Sequence, residues 1–189
     1  MRRLSVGSLV RSSYLLYFSH PAADRVLFRA MKGRPIRSIV ELGVGLGHRT
    51  ERVLEVAAWK TDPRQIRYAG IDLFESRPAG QPRLALKQAY RELRATGAKI
   101  RLIPGNPYAA LASMANALVG ADLVLIGAGL DGESLARAWR YFPRMIHPLT
   151  LVFQQDGGAG IGKEIWRPVT HAQIEMLAAG ASRAIRRAA

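Results

Sequence analysis

The stretch Glu41-Leu-Gly-Val-Gly-Leu-Gly-His-Arg-Thr50 sets three glycines at alternate positions between an apolar run, residues 36–42, and a segment with helical spacing. Glycine is the residue that costs most to order. Three of them where a strand hands over to a helix predict a tight turn that something approaches closely. A strand, a glycine turn and a helix N-terminus together offer free N–H groups and the positive end of a helix dipole, which suit a nucleotide or a carboxylate. A glycine turn that only lets the helix pack on the strand is the plainer alternative.

Working outward, the chain alternates. A helical lead-in spans residues 12–31, with Pro21 at a first-turn position and Lys32-Gly-Arg-Pro35 as its break. Strands are predicted at residues 36–42, 66–73, 99–103, 121–126 and 149–154, and helices at 49–59, 84–95, 108–118, 133–141 and 171–187. The strands are apolar on both sides. Alternation of this kind implies an α/β, doubly wound, mostly parallel sheet with helices on both faces. At 189 residues the chain is read as one domain: a lead-in (1–35), a ligand-binding core (36–155) and a C-terminal loop and helix (156–189).

Composition narrows the function classes. The hydrophobic share, 49%, is ordinary, and no uncharged apolar run reaches the roughly 18 residues a membrane span needs. Arg11 interrupts the apolar part of the N-terminus, which argues against a signal peptide. The chain has no cysteine, so disulfides and thiol chemistry are excluded, and a cytoplasmic protein is expected. A net charge of +14, from 28 basic and 14 acidic residues, raises a nucleic-acid partner. Spread over nearly the whole chain, those charges favour a generally basic surface instead.

In doubly wound sheets ligands bind beyond the carboxyl ends of the strands. Those ends carry Gly43, Gly45 and Gly47; Asp72; Asn106; Gly127-Ala-Gly129-Leu-Asp131; and Gln154-Gln-Asp156. Asp72 can accept both hydrogen bonds of a ribose diol, or serve as a turn cap. The dinucleotide fingerprint is G-x-G-x-x-G, whereas here the third glycine comes one place early and Glu41 precedes the loop. An acid there would repel a pyrophosphate and stabilise a cationic amino group.

The acidic-x-Gly-x-Gly-x-Gly pattern resembles motif I of class I S-adenosylmethionine-dependent methyltransferases. Residues 66–74 look like that family's second strand and 121–126 like its fourth, so the resemblance covers roughly residues 36–155. It implies that Gly43, Gly45 and Gly47 line the methionine portion and ribose of S-adenosyl-L-methionine, and that Glu41 beneath them orients its amino group. By the same resemblance Asp72 binds the ribose hydroxyls, Leu73 or Phe74 flanks the adenine, and Asn106 lies near the adenine amino group. Asn106 between Gly105 and Pro107 reads equally well as a turn former.

The surroundings of strands two and four look most like small-molecule O-methyltransferases, which implies a small-molecule acceptor. Metal-dependent members carry carboxylates after strands four and five. Here residues 126–129 read Ile-Gly-Ala-Gly, so no metal is expected. Candidate catalytic groups are His48, Asp131 and Asp156. After strand five the family adds a helix and an antiparallel hairpin, which this sequence lacks or shortens, leaving an edge that a second copy of the chain would cover. Methyl transfer to a small molecule is the leading reading. A methyltransferase-like domain that binds cofactor or partner without turnover, an RNA methyltransferase and a nicotinamide oxidoreductase stand behind it.

Overall fold

The computed structural model describes residues 6–128, 130, 132–156 and 165–188. The chain enters through α1 (Val6–Ser13), which runs on into a wider turn at Tyr14–Phe18, and then α2 (Arg25–Met31). Four βα steps and a fifth strand follow: β1 (Ser38–Leu42), α3 (His48–Ala57), β2 (Arg67–Asp72), α4 (Leu86–Arg94), β3 (Lys99–Pro104), α5 (Pro107–Met114), β4 (Ala121–Ile126), α6 (Gly132–Ala138), α7 (Phe142–Met145) and β5 (Ile146–Asp156). The last elements are β6 (Ile165–Pro168) and α8 (His171–Ala188).

The six strands form one sheet in the order β3-β2-β1-β4-β5-β6. β1 to β5 are parallel, and β6 is antiparallel to β5, with Gln155 opposite Trp166. Strand order reverses at β1, so β1 and β4 flank the topological switch where the sequence placed its glycines.

Alternate residues of β1, β2, β4 and β5 feed two cores. Ile39, Tyr68, Leu123, Leu125 and Phe153 face Leu27 and Phe28 of α2, Val53 and Leu54 of α3, and Leu15 of the lead-in. Val40, Ile71, Val124, Ile126 and Val152 face Leu111 of α5, Leu135 of α6, Phe142 and Met145 of α7, and Ile174 of α8. Burial on both faces explains the apolar runs. Each fully buried large side chain contributes about 1.5–3 kcal/mol.

Beyond shifts of a few residues at other element ends, two element starts and one added strand differ from the expectation. The lead-in helix begins at Val6, six residues early, and its Leu15 and Leu16 bury against the core beside α3. Strand five starts at Ile146, because the His147–Asp122 contact (Nε2 to Oδ1, 3.1 Å) pins its first residues to the foot of β4. Residues 165–168, which carried no strand expectation, pair with β5 as β6. Among the described residues one strand is therefore added beside β5, and Trp166 supplies the reason that strand holds. Its ring is buried in the α3 core and its Nε1–H donates to Asp24 Oδ1 at 3.0 Å.

Candidate cofactor cleft

A cleft of about 260 Å³ opens at the carboxyl ends of β1, β2 and β4. Its lining includes Gly43, Gly45, Asp72, Leu73, Gly105, Asn106, Gly127 and Gln155. Gly43, Gly45 and Gly47 have φ of +85°, +69° and +85°, a left-handed backbone that only glycine adopts without strain. Gly47 is the N-cap of α3, so the loop delivers the helix N-terminus to the cleft's edge.

Gly127 answers a different need. A Cβ on it would stand 3.1 Å from the Gly43 carbonyl and 3.3 Å from that of Leu42. Its N–H donates to the Leu42 carbonyl at 2.7 Å, which draws the ends of β1 and β4 together under the glycine loop.

Asp72 is buried and four donors converge on it. Its Oδ2 accepts from the Gly45 N–H (3.1 Å) and Arg77 Nη2 (2.6 Å), and its Oδ1 from the Phe74 N–H (3.0 Å) and Arg77 Nε (2.9 Å). Burial alone would raise this carboxyl's pKa. The hydrogen bonds from Arg77, Phe74 and Gly45 and the guanidinium charge outweigh it, holding the group below the usual carboxylate range. Arg77 itself is anchored by the Gly45 and Pro82 carbonyls.

Glu41 lies deeper still, fully buried in mid-strand. Its Oε1 accepts from Arg49 Nε (2.9 Å) and Nη2 (2.7 Å), and its Oε2 from the Thr50 and Tyr68 hydroxyls, both at 2.7 Å. Burial and the Glu41 charge push the Tyr68 phenol well above its ordinary value. Arg49 also donates to the Gly43 carbonyl at 2.7 Å, and its guanidinium stacks 4.9 Å from the Trp166 ring centroid. Burial would lower the Arg49 pKa, but the charge and hydrogen bonds of Glu41 prevail and raise it.

No protein-family model matches the sequence, and no curated protein matches it. Solved structures do. Cofactor-bound Rv0187 from MTB superposes with a TM-score of 0.53 at 18% identity, covering 94% of this chain and 75% of that one. TomG from Streptomyces achromogenes, an O-methyltransferase of tomaymycin synthesis solved with SAM, gives 0.52 at 15%, covering 78% of this chain and 64% of that one. A protein from Clostridium thermocellum proposed to be an rRNA methylase gives 0.55 at 13%, with 77% and 74% covered. The chain thus spans less than two thirds of TomG.

The fold is that of the class I methyltransferases.

Within this methyltransferase-like fold the expected residues separate. Gly43, Gly45, Asp72, Leu73 and Asn106 share the cleft, and Gly47 shapes its loop. Glu41 does not reach the cleft, because both oxygens are spent below it; Arg49 stands between and lines the wall instead. Phe74 is buried away from the cleft with Leu84 and Ala89, so Leu73 is the residue at the lip. Asn106 does both things the sequence left open. It lines the cleft, yet its Oδ1 caps α5 by accepting from the Ala109 N–H at 2.8 Å, leaving an amide NH2 that suits a ring nitrogen better than an amino group.

Of the candidate catalytic groups, His48 is exposed on the first turn of α3 and does not line the cleft, since the left-handed Gly47 directs the next residue outward. Asp156 is paired with Arg167 Nε at 2.6 Å across the β5–β6 hairpin. Asp131 lies outside the described residues. The described residues of the lead-in helices contribute nothing to the lining and pack beside α3.

Arg49, Arg77 and Gln155 were missed. In sequence both arginines look like surface charge among 28 basic residues. The available signal was position: Arg49 lies eight residues after a mid-strand acid and Arg77 five after a strand-end acid, and each acid needs a counter-charge once buried.

Proposed function

We propose that the chain is an S-adenosyl-L-methionine-dependent methyltransferase acting on a small-molecule acceptor. The observation that carries this reading is the buried Asp72 carboxylate at the end of β2, joined to the Gly45 N–H of a left-handed glycine loop at the end of β1. A diol acceptor and a sterically open cradle at that spacing fit an adenosyl nucleoside; the missing Cβ atoms leave room for its sugar. Leu73 at the lip fits one face of a base, and the Asn106 NH2 fits a ring nitrogen.

The group bound there would supply a methyl on a sulfonium sulfur, so that an acceptor lone pair forms the new bond to carbon as the C–S bond breaks. This chain's own contribution is placement. The glycine loop sets the ligand's depth, and Asp72 fixes its rotation. Arg49, held by Glu41 and roofed by Trp166, offers a guanidinium to a ligand carboxylate. Among the described lining residues Arg49, Asp72 and Arg77 are the titratable groups, and each is held by protein partners.

That same inventory favours a second reading, a methyltransferase-like domain that binds the nucleoside without turnover. Titration calorimetry tests both. S-adenosylhomocysteine should bind, and Asp72→Ala should weaken it more than tenfold, about 2 kcal/mol. Binding without methyl transfer across an acceptor panel selects the second reading. Tight NAD binding with no affinity for either adenosyl compound overturns both.

A further inference from the structure

We infer that the β3 edge of the sheet is a docking surface for single-stranded RNA, held through its phosphates. This surface lies away from the cleft and stands whatever the cleft binds.

β3 is the last strand on its side of the sheet, and cations crowd both of its faces. On one face a groove of about 250 Å³ is lined by Arg67 of β2 and by Lys99 and Arg101 of β3. Arg67 and Lys99 are direct cross-strand partners in the β2–β3 register. All three are exposed and enter no ion pair among the described residues; Arg101 touches only the Met114 sulfur, at 3.6 Å. Like charges placed side by side on adjacent strands destabilise a sheet unless an anion lies between them. Asp122, an acid at the foot of the sheet, is spent on the N–H groups of Arg37 and Ser38 and on His147.

On the other face α4 covers the same edge. Its exposed side carries Lys87, Arg91 and Arg94 at i, i+4 and i+7, a row of cations about 5–6 Å apart. None enters an ion pair among the described residues. Glu92, the acid in that helix, accepts from Gln88 Nε2 at 2.9 Å.

Three cations without an ion pair on each side of one edge complement a repeating anion. Tyr90 decides between polymers. It is 42% exposed in the α4 row, with the Arg94 guanidinium 5.9 Å from its ring centroid, which offers a stacking face to an unpaired base. A lipid surface fits less well, because Tyr90 and Val119 are the large exposed apolar side chains among the described residues here, too few to enter a bilayer.

The test is fluorescence anisotropy of a labelled 20-nucleotide mixed-sequence RNA against the full chain and three charge-matched triple variants. R67Q/K99Q/R101Q and K87Q/R91Q/R94Q should each weaken binding at least tenfold. Each should also flatten the slope of log affinity against log salt by about 2, as three lost phosphate contacts require. R29Q/R144Q/R183Q, which removes the same charge from exposed positions elsewhere, should change affinity less than threefold. All are surface changes, and thermal melting should show the groove variant no less stable than the parent, since it relieves repulsion. Equal losses in all three variants, a flat salt response, or co-sedimentation with phosphatidylserine vesicles without RNA binding would overturn the proposal.

Discussion

Arg77 grips Asp72 through both carboxylate oxygens, Nη2 to Oδ2 at 2.6 Å and Nε to Oδ1 at 2.9 Å, and so holds the acceptor atoms that a ribose diol would use. Backbone N–H groups of Gly45 and Phe74 take the remaining lone pairs. A carboxylate accepts about four hydrogen bonds, and here four are made. A diol entering the cleft must therefore displace the guanidinium.

It follows that Arg77→Ala should bind S-adenosylhomocysteine more tightly than the parent, by about 3–10-fold, while melting a few degrees lower because Asp72 loses its counter-charge. Calorimetry and thermal melting together check this. Weaker binding in the variant would mean that Arg77 contacts the ligand rather than competing with it.

The pair beneath the glycine loop predicts stability more than affinity. Removing one partner of a buried ion pair leaves the other uncompensated, so Glu41→Gln should cost about 3 kcal/mol, or about 6–12 °C in a chain of this size. Replacing both partners, Glu41→Gln with Arg49→Met, should cost less than the two single changes summed, because no stranded charge remains. Additive losses in denaturant unfolding would count against the coupling drawn between Glu41 and Arg49.

What could be seen in the sequence divides along physical lines. The sheet was legible because its central strands, β1, β2 and β4, are buried on both faces and therefore read as apolar runs. The glycine loop was legible because left-handed backbone demands glycine. Asp72 was placed by topology, since acids at strand ends are few. The partners of the buried acids were not legible: pairing Arg49 with Glu41 and Arg77 with Asp72 depends on helix phase and loop path, which residue spacing does not fix. β6 was hidden for a similar reason. Four residues are too short for a periodic signal, and Trp166 acquires its role only when Asp24 and Arg49 arrive from 142 and 117 positions away in the chain.

Gly127 separates a steric requirement from a conformational one. Gly127→Ala introduces a Cβ 3.1 Å from one backbone oxygen and 3.3 Å from another, so the ends of β1 and β4 must part, at a cost of about 1–3 kcal/mol. Gly45→Ala meets nothing within 4 Å and pays only for its φ of +69°, about 1–2 kcal/mol. At similar stability, Gly127→Ala should lose ligand affinity at least tenfold through the displaced loop. Unaltered binding in calorimetry would show that the loop tolerates a wider gap between the strands.

Acid unfolding distinguishes two buried aspartates whose shifts run in opposite directions. Asp72 is held below the ordinary carboxylate value of about 4 found in unfolded chains, so the unfolded state takes up its proton first as pH falls. Its contribution is complete above that value and disappears as pH drops through the folded one. Asp24 is raised, chiefly by burial, against the hydrogen bond from Trp166, so there the folded state takes up the proton first and ionisation opposes folding as pH rises through the folded value. Asp72→Asn should therefore destabilise by about 1–3 kcal/mol at pH 7 and progressively less toward pH 3. Asp24→Asn, which keeps an acceptor for Trp166, should be neutral or stabilising at pH 7, and that difference should also close in acid. Urea unfolding between pH 3 and 7 reads both, and a pH-independent loss in Asp72→Asn would show that the side chain's shape, rather than its charge, is what Arg77 and Gly45 hold.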